Sequence, residues 1–125
     1  MADAVAFVDD LFFLAKMTET ARQTGVELKT VSNTDAFLLE AAANPAGTLL
    51  LDLNARGNPL AALARLRENA PPAAARRRVI AFLSHVQTDL AEQARAAGCD
   101  EVMPRSKFTM ELPRILRESR TVKTQ

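Results

Sequence analysis

Three aspartates stand out because each follows a short apolar run. Asp52 follows three leucines in the run at residues 48–54, and Asp9 and Asp10 follow the run at residues 4–8. A continuous apolar run of this length indicates a strand buried on both faces, so the acids fall at the C-terminal ends of two strands. In an open parallel sheet, ligands bind at that edge because loops and helix N-termini with free backbone amides converge there. Asp52 is therefore a candidate site residue rather than a packing residue, and this interpretation is favoured over a carboxylate that caps a loop or pairs with an arginine.

The pair Asp9 and Asp10 has a second interpretation. Taken alone, two aspartates after a strand are more often a solvated turn or a helix N-cap than a ligand site. A functional site becomes the favoured interpretation only when Asp52 lies beside them.

The composition favours one globular domain. With 125 residues, of which 48% are apolar and 25% charged, the chain suits a single domain over 1–125, with a core at about 4–118 and a tail at 119–125. The net charge of +1 gives no strong field to attract nucleic acid or an anionic membrane. A single cysteine excludes an internal disulfide, and the sequence shows neither an apolar run of membrane-spanning length nor a signal-peptide pattern. We therefore expect a cytoplasmic protein.

Short apolar runs typical of strands alternate with amphipathic segments typical of helices. Gly25 is placed to end the first helix, and the polar cluster at residues 32–34 to cap the second. Loops are expected at 71–78, which combines two prolines with three arginines, and at 104–108. The predicted strands are residues 4–8, 26–31, 48–54, 79–83 and 101–103, and the predicted helices are residues 11–24, 35–43, 59–70 and 88–97, with a last helix around Leu112, Ile115 and Leu116.

Five strand-helix units with short connections predict an α/β domain with a doubly wound, five-stranded parallel sheet covered on both faces. In the common strand order 2-1-3-4-5, the first and third strands are neighbours. Asp9, Asp10 and Asp52 would then share one pocket at the C-terminal edge of the sheet.

Four segments together resemble the receiver domain of bacterial response regulators. They are FVDD at 7–10, LLLDLN at 49–54, an apolar fourth strand ending in a hydroxyl, and AAGCDEV at 96–102. The resemblance covers residues 4–116, and it implies the CheY-like form of the flavodoxin-like fold, a three-layer sandwich.

This resemblance implies a signalling protein of a phosphorelay rather than an enzyme. Asp52 would accept a phosphoryl group from a histidine kinase or a small phosphodonor, and the added charge would switch a partner-binding face. The implied cofactor is Mg²⁺, which prefers carboxylate, carbonyl and water oxygens. An output protein would bind, and a homodimer would form, through the last two helices. The implied metal ligands are Asp9, Asp10, Asp52 and the backbone carbonyl of Asn54, and the residues implied to read the phosphoryl group are Ser84 with Lys107 or Arg105.

The sequence departs from the family pattern around this site. Counting back from Gly98 without a gap places Leu83 at the usual hydroxyl position, and only a shortened loop brings Ser84 there. The usual lysine after the fifth strand is replaced by Arg105, with Lys107 two residues later, and arginine is not equivalent to lysine. The alternative function is therefore a degenerate receiver that binds proteins without phosphorylation. A small flavodoxin-like enzyme is disfavoured because no glycine-rich phosphate loop follows the first strand.

The remaining candidates carry less weight. His85 is interpreted as a loop residue without a role, and the arginines at 76–78 as a solvated loop. Cys99 is expected to be a small buried residue. Phe12 and Phe13 are interpreted as core or interface residues, and an exposed ring in this pair would indicate a docking surface.

Overall fold

The computed structural model describes residues 2–68, 77–84 and 88–120. His85, the predicted loop at residues 71–76, Arg76 included, and the last five residues of the predicted tail lie outside these described residues. None of the helices in the described ranges combines the length and the apolar character needed to cross a lipid bilayer.

Five strands and five helices alternate along the chain, as the sequence predicts. All strand pairs are parallel, and the order across the sheet is β2-β1-β3-β4-β5. The predicted doubly wound sheet and its order are confirmed. The strands are Ala4–Phe7 (β1), Leu28–Val31 (β2), Thr48–Asp52 (β3), Val79–Leu83 (β4) and Glu101–Pro104 (β5), and the helices are Leu11–Thr24 (α1), Thr34–Ala43 (α2), Pro59–Glu68 (α3), Thr88–Ala96 (α4) and Arg105–Ser119 (α5).

The helices divide into two layers, one on each face of the sheet. Every residue of β3 and β4 is buried, which explains why both strands read as continuous apolar runs. On one face the sheet packs against α1 and α5, and on the other against α2, α3 and α4. The register pairs Phe7 of β1 with Leu51 of β3, so Asp52 and the acids after β1 lie at the same edge.

Local sequence signals fix most helix ends. Gly25 adopts the left-handed conformation, with φ of 70°, and its N–H donates to the last carbonyls of α1. Asn33 caps α2 by accepting a hydrogen bond from the N–H of Ala36. Both caps lie where the sequence placed them.

The predicted loop at 104–108 is wrong, because α5 begins at Arg105 directly after β5. Tertiary packing explains the difference. Phe108 is fully buried and stacks on Phe82, with the ring centroids 4.1 Å apart, and it also contacts Phe13 at 5.9 Å. This contact draws the first turn of α5 onto the sheet, and α5 then continues to Ser119, one residue into the expected tail.

Arg77 is not the solvated loop residue that the sequence indicated. Its guanidinium donates to the backbone carbonyls of Ala41, Asn44 and Gly47, at 2.9, 2.6 and 3.0 Å. These carbonyls lie at the end of α2 and just after it, where no further helical turn supplies donors, and those of Ala41 and Asn44 also accept the N–H groups of Asn44 and Gly47. Burial lowers the pKa of Arg77 to about 10. Arg78 is not a solvated loop residue either, because it forms ion pairs with Glu101 and Glu118.

Replacing Arg77 by Ala is expected to lower the free energy of unfolding by about 2–3 kcal/mol, because three carbonyl oxygens lose a charged donor. Urea denaturation measures this loss. The control is Arg117→Ala on the exposed face of α5, which should stay within about 0.5 kcal/mol of the wild type. An equally small loss for Arg77→Ala would contradict the capping role.

Candidate functional site

Asp52 ends β3 and is almost completely buried, with 1% of its surface exposed. Its Oδ1 accepts a hydrogen bond from the N–H of Asn54 at 3.0 Å, and its Oδ2 accepts one from Arg105 at 3.2 Å. Burial raises the pKa of Asp52, and the nearby charge of Asp9 adds to the rise, whereas the Asn54 amide and Arg105 oppose it. Both carboxylate oxygens are therefore already bound within the chain.

Arg105 joins two of the predicted site acids. Its Nη1 donates to Oδ2 of Asp10 at 3.0 Å, and its Nη2 donates to Oδ2 of Asp52 at 3.2 Å. The guanidinium carbon lies 4.7 Å from the ring centroid of Phe13, close enough for a cation–π contact. Its Nε is buried and finds no hydrogen-bond acceptor within the described part of the chain. One side chain thus spans from the start of α5 to the ends of β1 and β3.

Asp10 and Asp9 are held in different ways. Oδ1 of Asp10 accepts hydrogen bonds from the N–H groups of Phe12 and Phe13, so Asp10 is the N-cap of α1. The pKa of Asp10 is lowered, mostly by the hydrogen bond from the Phe13 amide and next by the guanidinium of Arg105. Asp9 accepts a hydrogen bond from the backbone N–H of Arg56 at 2.9 Å and lies 3.6 Å from its Nε. The helix-cap interpretation therefore applies to Asp10, which also pairs with a cation.

Asn54 and Ser84 connect the ends of β3 and β4. The side-chain carbonyl of Asn54 accepts a hydrogen bond from the backbone N–H of Ser84 at 2.6 Å. Leu83, at the usual hydroxyl position when counted without a gap, is a buried core residue. Ser84 follows it directly and is exposed at the C-terminal edge of the sheet, which carries Asp9, Asp10 and Asp52 and is called the acidic edge below.

Lys107 lies apart from the acids. It belongs to the first turn of α5, its side chain is 60% exposed, and its Nζ is 3.9 Å from Oε2 of Glu111. Within the described ranges Lys107 forms no ion pair with Asp52, because α5 already begins at Arg105 and turns Lys107 outward. Arg105, rather than Lys107, is the cation at Asp52.

The structure also defines the surroundings of Phe12, Phe13 and Cys99, and it confirms the predicted burial of Cys99. Phe12 is 92% exposed while Phe13 is buried, so one ring of the pair does face solvent, with Leu11 exposed beside it. Cys99 is buried, and burial raises the pKa of its thiol to about 11. A thiol with this pKa is unreactive near neutral pH.

The acidic residues do not fit a bound magnesium ion in this arrangement. No group of three or more acidic, histidine or cysteine side chains in the described ranges is placed to hold a metal. Asp10 and Asp52 direct their carboxylates at a guanidinium, and Asp9 directs its own at a backbone amide. A guanidinium has only donors, so it occupies the lone pairs that a metal would need. The magnesium site predicted from Asp9, Asp10, Asp52 and Asn54 stays a prediction, which this arrangement of side chains does not support.

The bridge made by Arg105 is the feature that sequence reasoning missed. The sequence predicts the three aspartates at one edge of the sheet, and it has an arginine in place of the usual lysine. It gave no sign that the arginine would contact two of the acids at once, since that depends on where α5 begins. The arginine at the usual lysine position was the signal in the sequence that could have indicated this bridge.

Replacing Arg105 by Gln is expected to lower the free energy of unfolding by about 2–3 kcal/mol near neutral pH, because Asp52 stays buried without its cation. The same change should cost less in an Asp52→Asn background, where no buried carboxylate is left unpaired. Urea denaturation of the wild type, both single variants and the double variant measures this coupling. Purely additive losses would contradict a pairing between Arg105 and Asp52.

Comparison with solved structures identifies the fold. No protein-family model matches the chain, and no curated protein matches it. The chain is similar to a response regulator from Hahella chejuensis, with 19% identity, 98% of each chain covered and a TM-score of 0.76. It is also similar to a chemotaxis response regulator of Vibrio cholerae, with 14% identity, 95% of this chain and 98% of that one covered and a TM-score of 0.77.

A third similar structure is the signal receiver domain of a DNA-binding response regulator from Colwellia psychrerythraea, with 23% identity and a TM-score of 0.72. The match covers 90% of this chain and 93% of that one. Identities in this range establish the architecture rather than the activity. Together with the strand order, they show that this chain has the fold of the response regulator receiver domains.

Proposed function

We propose that the chain is a degenerate receiver, a cytoplasmic and non-enzymatic signalling module that binds a partner protein without phosphorylation of Asp52. The observation that supports this most strongly is that the Asp52 carboxylate is buried and already hydrogen-bonded. Asp52 is 1% exposed, and its two oxygens accept hydrogen bonds from Asn54 and Arg105. In this role Asp52 is a structural residue of the acidic edge.

Phosphoryl transfer makes demands that this geometry does not meet. An attacking carboxylate needs a free oxygen in line with the phosphorus atom, and the transition state needs cations around the transferred group. Here Oδ2 of Asp52 faces Arg105, and Asp10 holds the other arm of the same guanidinium. A phosphodonor would have to separate both ion pairs before it reached Asp52.

The competing function is that of a phosphorylatable receiver served by a histidine kinase or a small phosphodonor. It is favoured by the placement of Asp9, Asp10 and Asp52 at one edge, with Ser84 nearby at the end of β4. It requires Arg105 to leave the acids, so that Mg²⁺ enters and Arg105 and Ser84 contact the phosphoryl group. The experiment below distinguishes these two functions.

For the protein partner, we favour the N-terminal turn of α1 as part of the contact surface. Phe12 and Leu11 are 92% and 78% exposed there, and exposed aromatic residues are enriched in interfaces. The Asp10 cap fixes this turn before any partner binds. A homodimer through the last two helices is the alternative surface. Five charged residues on that side pair within the chain, in a network of Arg78, Glu101, Glu111, Arg114 and Glu118.

Incubation with labelled acetyl phosphate tests the proposal. The wild type should take up no more label with Mg²⁺ than Asp52→Asn does, because Asp52 is buried and bound to Arg105. A receiver domain that is known to be labelled serves as the positive control, and circular dichroism confirms that each variant is folded. Asp35→Asn, a change to an acid in the first turn of α2 far from Asp52 in the sequence, is the matched control.

Magnesium-dependent labelling of the wild type that is lost in Asp52→Asn but kept in Asp35→Asn would overturn the proposal. It would establish the phosphorylatable receiver instead.

A further inference from the structure

We infer that Arg105 is the resident cation of the acidic edge: its guanidinium takes the place of a divalent metal ion and keeps such ions out. The inference rests on the proposed function, because it explains how the edge is held in one state without metal or phosphoryl group. It concerns the junction between β5 and α5, whose first helical residue is Arg105.

The first argument is geometric. The two arms of the guanidinium end on two carboxylates that come from different strand ends, Asp10 at 3.0 Å and Asp52 at 3.2 Å. A cation shared by acids from separate strands joins those strands, as a bound metal ion would. The arginine differs from a metal in being part of the chain, so its local concentration does not depend on the solution.

The second argument is that the side chain is fixed in place. It lies 4.7 Å from the ring centroid of Phe13, and 27% of its side chain is exposed. The Phe13 ring packs in turn against Phe82 and Phe108. A guanidinium held in this way cannot move aside without losing its ring contact and both ion pairs.

The third argument is electrostatic. A divalent ion that approached Asp52 would meet a positive charge at hydrogen-bond distance, in partly buried surroundings where charges are weakly screened. Without Arg105, the carboxylates of Asp10 and Asp52 would have no cation between them. Neutralising this one side chain should therefore convert an edge that excludes metal into one that attracts it.

Magnesium titrations test the inference on the intact chain. Wild type, Arg105→Gln and Arg56→Gln are titrated with MgCl₂ at constant ionic strength, following the midpoint of thermal unfolding and the NMR shifts of the Phe13 and Asn54 amides. Arg105→Gln should bind Mg²⁺ about tenfold or more tightly than the wild type does, with shifts at both amides. Arg56→Gln removes an equal charge from the 93% exposed Arg56, whose Nε is 3.6 Å from Asp9, and should gain much less than Arg105→Gln does because this contact is solvated.

Two outcomes would overturn the inference. They are no gain in Arg105→Gln over the wild type, and an equal gain in Arg56→Gln, which would make the effect one of overall charge. If Arg105→Gln does not fold, Arg105→Lys replaces it, because a single ammonium cannot hold both carboxylates as the fork does. It should show a smaller gain, and binding equal to the wild type would again overturn the inference.

Failure of the inference about Arg105 is distinguishable from failure of the proposed function. Wild-type protein that binds Mg²⁺ but takes up no label contradicts only the role of Arg105. Wild-type protein that takes up label on Asp52 contradicts the function itself.

Discussion

A buried carboxylate at the end of a central strand needs a counter-ion, and the ion pair of Asp52 with Arg105 supplies it. A charge as buried as Asp52 is costly unless it is paired and hydrogen-bonded. Arg105 can be the counter-ion of Asp52 only if α5 begins immediately after β5. The packing of Phe108 into the core places the start of α5 there. The charge balance of the edge and the packing of α5 therefore depend on each other.

The receiver fold makes such an arrangement possible because a parallel sheet brings the ends of non-consecutive strands together. β1 and β3 are hydrogen-bonded neighbours, so Asp10 and Asp52 face the same cation. The same architecture would serve a metal-bound phosphorylation site. One departure from the family pattern is Arg105 at the usual lysine position, where its guanidinium contacts both Asp10 and Asp52. Fold and activity must therefore be argued separately.

The sequence was sufficient for the architecture but not for the site. Continuous apolar runs predicted β3 and β4, and turn chemistry predicted the end of α1 at Gly25, because those signals are local. The start of α5 was missed because it depends on the contact between Phe108 and Phe82, which are distant in sequence. The meeting of the aspartates at one edge followed from topology. The hydrogen-bond partner of each acid did not follow from topology, because it depends on which side chains reach the acid once the helices are packed.

The measurement that tests the central claim most directly is nitrogen NMR of isotope-labelled arginine side chains, with Arg105 assigned by mutation. The ion pairs predict slow rotation of the Arg105 guanidinium, separate signals for its two Nη groups, and a marked shift of one of them in Asp52→Asn. Averaged Nη signals like those of the exposed Arg117, unchanged in Asp52→Asn, would contradict the account, because they would show a guanidinium that is free of both carboxylates.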